Sequence, residues 1–272
     1  MSQQPIQRGR RQFFRVVAAA VAMIPVVAAN QARAGHWGPP FDRPRPWPRH
    51  RCLLPGTAIL TDRGPVVVER LQIGNLVLME SGVFKPIKGI GRNALTKGSS
   101  SRWDESVGPV RITQSAISAN VPARDLYLSP EHALFIDGYL IPVKYLINGL
   151  TITQDVSAFD VVEYNHIEFE QHEVFYAEGT AVESLRTIDV RQTAGRFAQY
   201  ERDERGGSVT GAMQPYAPQL GYCGGRQEAV ALARLAIHPW IDVRDHIQVV
   251  FDRLVARAKL LPAGAAETAL AG

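Results

Sequence analysis

The chain has 272 residues, 30 Lys and Arg against 26 Asp and Glu for a net charge of +4, and two cysteines, Cys52 and Cys223. The positive excess is local, because residues 1–51 hold nine Arg and a single acid, Asp42, leaving the other 221 residues with 21 basic against 25 acidic side chains and a net charge of −4. A body without its own basic face argues against nucleic acid as a partner.

In chain order, the first element is "RGRRQFFRVVAAAVAMIPVVAANQARA", residues 8–34, with Arg8, Arg10, Arg11 and Arg15 ahead of an apolar run from Val16 to Ala29. Basic start, apolar middle and small-residue end predict a signal peptide over 1–34, cleaved after Ala34. "RRQFF" resembles the twin-arginine export signal. The run is short of the roughly 20 apolar residues of a comfortable membrane span, so no membrane attachment is expected after cleavage, and the expected location is periplasmic or secreted. There a disulfide between Cys52 and Cys223 is permitted.

Residues 35–51, "GHWGPPFDRPRPWPRHR", contain five Pro and predict an extended Pro- and Arg-rich tether. From Cys52 to about residue 190 the pattern becomes short β-branched runs between turn signals: 57–61, 65–69, 75–79, 109–113, 125–128, 132–136, 150–153, 161–164 and 173–177. Runs of this length predict a mostly β domain. The polar stretch 93–108 reads as a surface loop.

Residues 191–272 read as a loop followed by two helices, "RQEAVALARLAI" and "DVRDHIQVVFDRLVARAKLL", parted by Pro239. In the second, Ile247, Val250, Phe251, Leu254, Val255, Ala258 and Leu261 recur at three- and four-residue steps and form one apolar stripe suited to packing on the β domain. No internal repeat is evident, and one domain with helical additions is the expected count.

"CLLPGTAILTDRGPVVVERLQIGNLVL", 52–78, resembles the opening block of the Hint superfamily, the self-processing domains of Hedgehog proteins and inteins, through Cys52, Gly56-Thr57, the turn at Asp62-Arg63-Gly64, Val66 to Glu69 and Ile73-Gly74. Asn75 stands where Asp is common. "RDLYLSPEHALFI", 124–136, is similar to the family's Thr-x-x-His element, with Ser129 at the Thr position and His132 at the His position. "EYNHIEFEQHEVFYAEG", 163–179, resembles the closing strand pair, opened by Tyr164 and containing His172. The arrangement is most similar to bacterial Hint-type proteins. It implies an antiparallel β horseshoe with a C-terminal helical extension.

The resemblance also implies a chemistry. Cys52 would attack the carbonyl of the preceding Arg51, moving the acyl group from nitrogen to sulfur; His132 would serve the scissile amide, Ser129 would support it and His172 would assist nearby. A peptide is a poor acyl donor, so such a site needs backbone strain, amine protonation and oxyanion stabilisation. Where inteins end in a His-Asn pair this chain has Glu183-Ser184, so the implied outcome is cleavage without splicing. Its substrate is the chain's own N-terminal flank, resolved by water or a small nucleophile, with no cofactor.

Two other readings compete. In the first, a non-catalytic secreted binding or structural domain ties Cys52 to Cys223. In the second, His132, His166, His172, Glu168 and Glu170 supply metal ligands, since 166, 168, 170 and 172 alternate onto one strand face.

Overall fold

The computed structural model describes residues 52–98, 102–154, 159–186, 197–203, 213–221 and 245–261. The expected signal peptide, the tether, Cys223 and the first expected C-terminal helix lie outside them.

Strands β1 (Ala58–Thr61) and β2 (Gly64–Val67) form a hairpin about Asp62-Arg63, and a 3-10 turn at Val68–Arg70 leads to β3 (Leu76–Leu78), β4 (Phe84–Pro86) and β5 (Gly89–Thr96). Then come β6 (Val110–Ile112), β7 (Leu126–Leu128), β8 (Ala133–Ile136) and β9 (Tyr139–Pro142), a second 3-10 turn at Val143–Leu146, and β10 (Ile152–Gln154). The order closes with β11 (Val161–Glu168), β12 (Val174–Ala177), β13 (Thr180–Glu183), β14 (Gln199–Arg202) and helix α1 (His246–Ala258). The described strands make an eight-stranded sheet, β4-β3-β1-β12-β13-β8-β9 with β2 added on β1, and two three-stranded sheets, β10-β6-β7 and β11-β5-β14.

Five of these strands are not among the runs read from the sequence. β5 is one of them, because Gly89 and Gly91 break its apolar pattern, yet it pairs along its whole length with β11 from Gly89↔Glu168 to Thr96↔Val161. β9 follows the Asp137-Gly138 turn, whose two residues both have positive φ, +52° and +84°. That backbone matches strand twist in a two-residue hairpin and suits Asp-Gly, so β8 and β9 pair in register from Ala133↔Pro142 to Ile136↔Tyr139.

The stretch 93–108 departs from the expected surface loop. Asn93–Thr96 belong to β5, and Leu95 and Val107 join Cys52, Leu54, Val162 and Tyr164 in a buried cluster with Trp103 against it. Trp103 donates from Nε1 to the Phe159 carbonyl at 2.6 Å.

The main core draws Ile59, Val77 and Met79 from the first strands, Ile112, Leu126 and Leu128 from β6 and β7, and Phe175 and Val182 from the closing pair. Ile247, Val250 and Leu254 of α1 belong to the same core, as the apolar stripe requires. Asp245 caps the helix by accepting from the Gln248 amide at 2.9 Å. Among the described residues no helix is long and apolar enough to cross a membrane.

Candidate functional site

Cys52 is fully buried and is a free thiol. The next residue fixes its position: Leu53 bridges to both Leu128 and Asn165, exchanging backbone hydrogen bonds with Asn165 at 2.9 and 2.8 Å. The chain therefore enters the fold between β7 and β11. The polar neighbours of Cys52 come from β11 and from the turn that follows β7.

Three side chains meet Cys52. Its amide N–H donates to Ser129 Oγ at 2.9 Å, its carbonyl lies 3.1 Å from His132 Nδ1, and its sulfur stands 2.6 Å from His166 Nε2. Ser129 and His132 are set by a tight turn after β7, in which the Ser129 amide donates to the Cys52 carbonyl at 3.0 Å and the His132 amide to the Ser129 carbonyl at 3.0 Å. His132 Nε2 lies 3.0 Å from the Glu183 carbonyl. Both ring nitrogens of His132 thus face carbonyl oxygens, which only accept; a neutral ring fills one contact and an imidazolium fills both.

Burial pushes the Cys52 thiol well above its ordinary range, and the Ser129 hydrogen bond pulls the other way. Burial thus favours the neutral thiol, and His166 is the group placed to take its proton. Tyr164, two residues before His166 on the same face of β11, donates its hydroxyl to the Val107 carbonyl. Its phenol is also raised, first by burial and then by Cys52.

A family model described as the Hint domain matches residues 51–189, just over half of the chain. The chain belongs to the Hint domain family. Among solved structures it is similar to the gp41-1 intein at 15% identity, covering 49% of this chain and 98% of that one with a TM-score of 0.34. It is also similar to a bacterial intein-like domain from Clostridium thermocellum at 12% identity, covering 50% and 99% with a TM-score of 0.38. No curated protein matches. A mostly β Hint fold with a C-terminal helix is what the sequence implies and what the structure has.

Within the Hint domain, His172 stands apart from Cys52. Its Nδ1 accepts from the Tyr216 amide at 2.9 Å, and its Nε2 lies 3.2 Å from Glu183 Oε2, a side chain that is itself fully buried. Glu183 Oε1 accepts from the Ala133 amide at 2.8 Å. Glu183 thereby braces the strand beginning beside His132. Tyr216 completes the chain of contacts through its hydroxyl on Glu80 Oε2 at 2.6 Å, and that hydrogen bond pushes its phenol up to about 12.

The metal grouping is not assembled. β11 ends at Glu168, so the strand alternation that would have aligned 166, 168, 170 and 172 stops there. Glu170 is exposed, and Glu168 pairs with Arg202 Nη1 at 2.6 Å. Among the described residues no three His, Cys, Asp or Glu side chains stand together as a metal site. His166 was legible only as a possible metal ligand. The signal for its other role is the alternation Tyr164, His166, Glu168, which puts it on the face where Tyr164 meets the Cys52 cluster.

Proposed function

We propose that this Hint domain cleaves its own chain at the Arg51–Cys52 bond. The observation that carries the reading is the contact of the buried Cys52 sulfur with His166 Nε2 at 2.6 Å, on the same residue whose amide nitrogen is held by Ser129 at 2.9 Å.

His166 takes the thiol proton as the sulfur attacks the Arg51 carbonyl, so a C–S bond forms and the carbonyl becomes a tetrahedral oxyanion. Collapse breaks the C–N bond. The departing nitrogen, held on Ser129 Oγ, receives its proton from His132 as an imidazolium, the ring that lies beside the Cys52 carbonyl. The products are a thioester from Arg51 to the Cys52 sulfur and a free α-amine on Cys52. Water or a small external nucleophile then breaks the C–S bond, and the sulfur recovers a proton. Glu183-Ser184 supplies no asparagine to cyclise, which supports cleavage without splicing. The N-terminal pattern of residues 1–34 supports export to the periplasm or beyond as the setting.

Intact-mass measurement of the full chain with hydroxylamine or dithiothreitol tests this. A fragment beginning at Cys52 is expected for wild type and none for Cys52→Ala. A wild-type chain that stays whole and behaves like Cys52→Ala overturns the proposal.

A further inference from the structure

Phe197 and strand β14 lie beyond the matched Hint region, yet the Phe197 ring stands against His166. His166 pairs across the ladder with Gly91, and Gly91 pairs on its other side with Tyr200. Because Gly91 has no side chain, a gap opens beside the imidazole, and the Phe197 ring occupies it. A Cβ at Gly91 would come within 2.8 Å of Phe197 Cγ. The Phe197 ring meets the His166 ring edge-on, with centroids 4.6 Å apart at 61°, and stacks on Tyr200 at 5.7 Å and 13°.

The strand carrying this ring is anchored. β14 pairs with β5 from Gln199↔Arg92 to Arg202↔Gly89. Glu168, fully buried on β11, accepts from the Tyr200 hydroxyl and from Arg202 Nη1, the latter at 2.6 Å. Gly89 leaves the room for this: a Cβ there would stand 2.9 Å from Glu168 Oε2 and 3.3 Å from the Tyr200 hydroxyl. Two glycines on one strand thus admit a second, aromatic layer.

We propose that Phe197 is a positioning residue for the Cys52–His166 pair, so that chemistry at Cys52 depends on a strap outside the Hint domain itself. An imidazole can turn about its last side-chain bond, and an edge-on aromatic wall restricts that turn to orientations that keep Nε2 on the sulfur. The inference rests on the Cys52 chemistry proposed above, so its test includes a signature independent of cleavage.

The full chain is prepared as wild type, Phe197→Ala, Phe197→Tyr, His166→Ala and the Phe197→Ala/His166→Ala double variant. Where Phe197→Ala does not fold, Phe197→Leu fills the gap without a ring and takes its place. Thiol-induced cleavage should slow by about 10- to 100-fold in Phe197→Ala and recover in Phe197→Tyr. It should be no slower in the double variant than in His166→Ala alone. Independently, the ring-nitrogen NMR signal of His166 Nε2 should move in Phe197→Ala toward its position in Cys52→Ala, which lacks the sulfur. An unmoved Nε2 signal overturns the positioning role even if no variant cleaves. Equal slowing by Phe197→Ala with and without His166 overturns it as well.

Discussion

Burial and hydrogen bonding pull the Cys52 thiol in opposite directions, and burial wins. Without a local base the nucleophile would have to come from the small thiolate fraction, which below the raised pKa grows about tenfold per pH unit. His166 changes that dependence by accepting the proton within the attack itself. Cleavage by His166→Ala should therefore be slower by about 10²–10⁴-fold near neutrality and should climb steeply as pH rises. The wild-type rate should be flatter over the same range. Rates from intact mass at several pH values check both the size and the slope. A conserved slope in the two proteins would remove His166 from the proton path.

At the scale of elements, the β5–β11–β14 sheet shows how glycine positions act as space. Gly91→Ala forces a methyl group against the Phe197 ring at 2.8 Å, and overpacking of this kind costs about 1–3 kcal/mol. Chemical denaturation should register that loss, and hydrogen exchange should show it as faster exchange at Tyr200–Arg202. The same sheet marks where sequence reading reached its limit. Cys52, Ser129 and His132 were legible because each sits in a local motif with fixed spacing, and nine β-branched runs fell on strands for the same local reason. β5 was hidden because glycines that admit a neighbour look like turn signals when the neighbour is unseen. β14 was hidden because "QYER" is four residues with alternate exposed positions and no apolar run. His166 required knowing that β11 passes beside Cys52, which is a fact of pairing across more than a hundred residues. His172 was expected near the sulfur; its ring instead accepts from the Tyr216 amide and lies beside the Glu183 carboxylate.

Across the whole molecule, α1 and the β sheets share one core, in which Val250 and Leu254 are buried in the same cluster as Ile59 of β1. The helix should then unfold with the strands in one transition. Leu254→Ala should lower stability by about 2–5 kcal/mol, seen as a single displaced curve whether circular dichroism follows helix or near-ultraviolet signals follow the core. Two separated curves would show that the helix is an independent appendage.

The segment 52–54 is hydrogen-bonded on both edges, Leu53 to Asn165 on one side and Cys52 and Leu54 to Ser129 and Tyr127 on the other, immediately after the bond proposed to break. A cut there would create a fresh amino terminus already stitched into two strands. Losing the leader would leave the remainder with its architecture intact, and the sulfur, now at the very first residue, would stay seated beside its imidazole.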